Sequence, residues 1–101
     1  MAIAALERRA QVYQLSFTQV QMMLDSGRLG QALSQLERMV AGDPDRAEAH
    51  YDLAVLYCSA GRLADAQREI RRARELDPAS EAIADAQAAI TDALTVHGRR
   101  E

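Results

Sequence analysis

The chain has 101 residues, which suits one domain with a thin core. Its twelve cations, all Arg, are outnumbered by 15 acids, giving a formal net charge of −3; a nucleic-acid binder usually carries a basic surplus, so that class is disfavoured. No apolar run approaches the roughly 20 residues that cross a bilayer, and the N-terminus lacks a basic-then-apolar leader pattern, so a cytoplasmic protein without membrane insertion is expected.

Much of the apolar content is Ala, with one Phe and no Trp. Small side chains raise helix propensity and let helices pack closely. The single cysteine, Cys58, has no partner for an internal disulfide.

In chain order, the first signal is a run of apolar residues at alternating steps of three and four: Ile3, Leu6, Ala10, Tyr13, Phe17, Val20 and Leu24. This spacing places them on one helical face, and no breaker intervenes before Gly27. One helix over about residues 3–26 is predicted, longer than a single helix hairpin needs. Two readings of the extra turns stay open. They fold back on the domain as a cap, or they contact a second chain, as an antiparallel helix in a homodimer, through Ile3, Leu6, Ala10 and Tyr13. The first half is short of Leu, which argues against an autonomous coiled coil.

After Gly27, the residues Leu29, Ala32, Leu36 and Met39 predict a second helix, stopped at Asp43-Pro44. A third follows, with His50, Leu53, Ala54 and Tyr57 on one face, ended by Gly61. Gly adopts φ > 0 without a Cβ penalty, which suits a helix C-terminus. A fourth helix carries Leu63, Ala66, Ile70 and Ala73 and must stop at Asp77-Pro78, because Pro lacks an N–H and disfavours helix at the residue before it. Ile83, Ala86, Ile90, Ala93 and Leu94 give a fifth, amphipathic helix, and 98–101 reads as a frayed tail.

The chain repeats itself at a spacing of 34 residues. Gly27-Arg28-Leu29 recurs as Gly61-Arg62-Leu63, Ala32 as Ala66, Leu36 as Ile70, Arg38 as Arg72, and Asp43-Pro44 as Asp77-Pro78. The second unit reads His50-x2-Leu53-Ala54-x2-Tyr57, then Ala66-x3-Ile70, then Pro78. This resembles the tetratricopeptide repeat family, whose pattern is W-x2-L-G-x2-Y, A-x3-F and P at the same period. His50, Ala54 and Ile70 depart from the commonest residues. The first unit matches through Ala32, Leu36, Met39 and Pro44 but has Gln19 where the pattern wants an apolar residue.

The resemblance implies an all-α fold of about five helices, built as antiparallel hairpins stacked in a short right-handed solenoid. Residues 1–12 would be an extension continuous with the first repeat helix, 13–46 and 47–80 the two repeats, 81–97 a capping helix and 98–101 a tail.

Motifs of chemistry are missing. His50 and His97 have no second ligand at metal spacing, Gly27-x-x-Gly30 lacks the lysine of a phosphate loop, and the carboxylates are scattered. No catalytic residue, metal or cofactor is expected, and the protein is read as not an enzyme. His50 is read as a packing residue. Arg68, Arg71, Arg72 and Arg74 are interleaved with Asp65, Glu69 and Glu75, which reads as a solvated face laced with weak ion pairs.

The resemblance also implies a use. First helices of successive repeats line a groove that binds a peptide or helix of another protein. Projected onto this chain, the groove residues are Phe17, Gln21 and Leu24, then Tyr51, Asp52, Val55 and Ser59, then Ala82, Asp85, Ala86 and Ala89. Co-chaperones that clamp the C-terminal carboxylate of heat-shock proteins carry cations in this groove. Phe17, Gln21, Asp52, Ala82 and Ala86 supply none, so that subclass is disfavoured. The expected role is an adaptor or assembly chaperone, with structural homo-oligomerisation as the alternative.

Overall fold

A computed structural model describes the backbone of residues 2–100 and the side chains of residues 4, 5 and 7–96. Five helices follow one another: α1 (Ala2–Asp25), α2 (Leu29–Gly42), α3 (Ala47–Ser59), α4 (Leu63–Leu76) and α5 (Glu81–Arg100). The all-α expectation holds. Each helix packs on the next, α3 also touches α5, and the molecule measures 53 × 33 × 19 Å. No helix among the described residues is long and apolar enough to cross a membrane.

The two glycine turns are the same motif made twice. Gly27 and Gly61 both have φ of 75°. The Gly27 amide donates to the Leu24 carbonyl (3.0 Å) and the Arg28 amide to that of Met23 (2.8 Å). Gly61 donates to Cys58 (3.0 Å) and Arg62 to Tyr57 (2.8 Å). These paired bonds satisfy helix-end carbonyls that would otherwise lack donors. The Arg62 guanidinium also lies 4.6 Å over the Tyr57 ring, pinning the turn to the helix it ends.

The proline turns repeat as well. Asp43 and Asp77 end their helices by donating to Met39 (3.1 Å) and Ala73 (2.9 Å). In the following turn Arg46 donates to the Asp43 carbonyl and Ser80 to that of Asp77, each at 3.3 Å. The Ser80 hydroxyl then accepts from the Ile83 amide (3.3 Å), an N-cap for α5.

Leu36, Ile70 and Val20 are the largest fully buried side chains, in one core cluster with Leu53, Ile83 and Ile90. Ala54 and Ala66 are both fully buried, as their place where α3 and α4 pack requires. Along α1 the expected apolar face divides. Tyr13 and Val20 are buried, Phe17 and Leu24 half-buried, and Ala10 exposed; the side chains of Ile3 and Leu6 lie outside the described residues. The closing helix runs to Arg100, so residues 98–100, expected as tail, are helical.

α1 is the unusual element. Its 24 residues give a length of about 36 Å, against about 21 Å for the 14 residues of α2. Its N-terminal half therefore overhangs the end of α2, and its described side chains before Tyr13 are all exposed.

Candidate partner-binding face

α1, α3 and α5 are the first helices of successive units. The 34-residue shift puts Phe17, Tyr51 and Asp85 at one register position, and Gln21, Val55 and Ala89 at another. Phe17, Leu24, Tyr51, Asp52 and Ala86 are half-buried; Gln21, Val55, Ser59, Ala82, Asp85 and Ala89 are exposed. α3 and α5 touch directly. α1 and α3 are joined by side chains.

That join is a polar cluster. The Tyr13 hydroxyl donates to the Asp52 carboxylate, and the Arg46 guanidinium lies 4.8 Å over the Tyr13 ring. Arg46 also pairs with Asp43 at 3.1 Å, and Asp43 pairs with Arg9 from the overhang. Tyr13 stacks on Phe17, with ring centroids 6.0 Å apart. Burial raises the Asp52 pKa to about 6; the Tyr13 hydrogen bond opposes the shift and nearby Glu48 adds to it. Burial likewise pushes the Tyr13 phenol far above its ordinary value, with Asp52 adding to the shift.

Tyr13, one of the residues considered for self-association, is therefore committed within its own chain. Asp52, read as a groove acid, is already held by a donor. Sequence spacing gave no signal of either, because the two lie 39 residues apart on helices whose relative rotation sets the contact.

His50 is buried, as expected for packing, but it also makes two polar contacts. Nδ1 lies 2.8 Å from Glu69 Oε1 and Nε2 lies 2.7 Å from the Pro44 carbonyl. It ties the proline turn, α3 and α4 together. Tyr57 donates to Glu37 at 2.6 Å, joining α3 to α2, and burial raises its phenol to about 12, with Glu37 adding to the shift.

The arginines of α4 behave as a solvated face. Arg68 pairs with Asp65 at 2.6 Å, Arg72 with Glu75 at 3.2 Å and Asp45 at 3.4 Å, and Arg74 donates to Gln87. Glu69 departs from that pattern by turning inward to His50. Cys58 is half-buried, and burial pushes its thiol pKa up, away from reactivity. Among the described residues no three His, Cys, Asp or Glu side chains gather as metal ligands.

Stacked helix hairpins of 34 residues, with glycine and proline turns recurring at that period, define a helical repeat protein. A family model described as a tetratricopeptide repeat matches residues 23–90, and the chain belongs to that family. Repeats of this family mediate protein–protein interaction and are not catalytic. No curated protein matches the chain.

Proposed function

We propose that this protein is an adaptor or assembly chaperone that binds a peptide or amphipathic helix of a partner on the face formed by α1, α3 and α5. The observation that carries the reading is Val55. It lies on the middle of the three helices, 42% exposed, beside half-buried Tyr51. An exposed aliphatic group one helical turn from a partly exposed aromatic one is what an apolar anchor of a ligand packs on.

The charges near these anchors favour a ligand with a basic residue. Asp85 and Glu48 are exposed there, and the cations of the adjoining cluster, Arg46 and Arg9, are taken up by Asp43 and, for Arg46, the Tyr13 ring. A terminal carboxylate has no cation to meet at Phe17, Gln21, Asp52, Ala82 or Ala86. Two repeats make a short face, so the affinity is modest.

The test is a pair of variants, Tyr51→Ala and Val55→Asp, each checked for helicity and compared with Arg68→Ala on α4. Peptides selected on the wild-type protein from a displayed library should lose binding to both variants and keep binding to Arg68→Ala. Unchanged affinity for folded Tyr51→Ala and Val55→Asp would sink the reading.

A further inference from the structure

Of the large hydrophobic side chains that are exposed among the described residues, three belong to α1: Val12 (63%), Leu15 (69%) and Met22 (64%). They lie at i, i+3 and i+10, one stripe down the helix, with Gln19 between them. By helical rotation the stripe is turned away from Phe17, Gln21 and Leu24, so it is not part of the face proposed above.

The repeat itself tells what belongs on this stripe. Leu15, Gln19 and Met22 shift by 34 residues to Ala49, Leu53 and Leu56. In α3 all three are buried, and α2, the helix before it, packs on α3. A further shift reaches Ile83 and Ile90, both buried in α5, on which α4 packs. Every other first helix thus has a preceding helix against it, and these positions are where its apolar residues go. α1 carries large apolar residues at the same register with no helix on them. The opposite end of the stack is different: Ala88, the α5 equivalent of buried Ala54, is exposed and small, and its neighbours Thr91 and Thr95 are polar and exposed.

Two surface clefts flank the stripe. One of about 520 Å³, where α1 overhangs α2, is lined by Val12, Ser16 and Met39 and bordered by Arg9, Tyr13 and Asp43 of the polar cluster. The other, about 270 Å³, is lined by Gln19, Met22, Met23 and Arg28.

We infer that the occupant is α1 of a second copy of this chain, laid antiparallel across the stripe. Charge decides both the partner and the direction. Arg8 and Asp25 lie near opposite ends of the stripe, and neither has an ion-pair partner among the described residues. Antiparallel pairing with Val12 opposite Met22 of the second copy brings Arg8 of each copy beside Asp25 of the other. Parallel pairing would set Arg8 against Arg8 and Asp25 against Asp25. The antiparallel arrangement is two-fold symmetric, so each contact is made twice. It also lowers each Met22, a flexible side chain that fills irregular gaps, into the larger cleft of the other copy.

Light scattering during gel filtration, over a concentration series of the full chain, reads the result. A dimer is expected. Leu15→Asp and Met22→Arg, both at exposed sites that leave the fold intact, should each weaken it by at least about thirtyfold, the threshold of a hot-spot substitution. With Cys58 replaced by Ser, mixing Val12→Cys with Met22→Cys should give a disulfide between the two variants. Neither alone should cross-link, because like residues are then about 15 Å apart along the helix. A wild-type monomer at every concentration overturns the inference, as does a dimer indifferent to both charge substitutions, or cross-linking of Val12→Cys to itself.

Discussion

The Tyr13 hydroxyl donates to the Asp52 carboxylate across 39 residues of chain, and this bond ties the overhanging half of α1 to α3. Backbone packing of α1 runs to α2, so the attachment of its N-terminal half to the rest of the stack depends on side chains from the cluster around Tyr13.

Tyr13→Phe keeps the ring, its stacking on Phe17 and the cation above it, and removes only the donor. The half-buried Asp52 carboxylate then loses its partner, at a cost of about 1–2 kcal/mol. For a domain of this size each kcal/mol lowers Tm by about 4–8 °C. Thermal melts should show that loss. Hydrogen exchange should quicken in residues 7–13 of α1 before it does in α3 or α4.

Asp52 makes stability depend on pH in an unusual direction. Its folded pKa, about 6, lies above the value of a carboxyl in an unfolded chain. Between about pH 4 and 6 the folded state holds more protons than the unfolded one, so stability falls as pH rises. The contribution is fully present below the unfolded pKa and is gone above pH 6. Asp52→Asn accepts the Tyr13 hydrogen bond without a charge. It should raise stability at pH 7 by on the order of 1 kcal/mol, after allowing for solvent screening, and flatten the profile between pH 4 and 6. Urea unfolding of both proteins at pH 4, 5, 6 and 7 checks it; an unchanged slope with pH would remove Asp52 as the cause.

His50 stands where the family pattern has Trp, and its ring is held by Glu69 and the Pro44 carbonyl. Glu69→Ala strands the Nδ1 side of a buried ring and should cost about 1–3 kcal/mol. Glu69→Gln retains a polar partner of the same shape and should cost clearly less. Denaturant midpoints of the two variants at unchanged m-value decide it. Equal losses would mean that Glu69 contributes packing rather than the hydrogen bond.

What could be read from the sequence follows from periodicity. The turns at Gly27 and Gly61, the stops at Asp43-Pro44 and Asp77-Pro78, and the small buried residues Ala54 and Ala66 on the packed helices α3 and α4 are each dictated by backbone geometry or side-chain size, so they leave a mark at fixed spacing. The face of α1 that carries Tyr13 and Val20 was legible for the same reason. The opposite stripe was not, since Gln19 interrupts Val12, Leu15 and Met22 and the stronger heptad conceals it. Polar ties such as Tyr13–Asp52 and His50–Glu69 cross between helices and depend on rotation and offset, which no local pattern records.

The repeat supplies its own control for the close contact of α3 and α4. Ala54 is fully buried, whereas Ala88 holds the same register in α5 and is exposed. Ala54→Leu must push α4 away or force a strained rotamer, and overpacking of this kind costs about 1–3 kcal/mol. Ala88→Leu adds the same atoms at the same helical position with nothing opposite, and Leu is nearly as good a helix former as Ala, so its effect should stay within about 0.5 kcal/mol. Urea unfolding of the two variants separates helix propensity, common to both, from crowding, present in one. A comparable loss in both would show that the small residue at this position serves the helix itself rather than the approach of its neighbour.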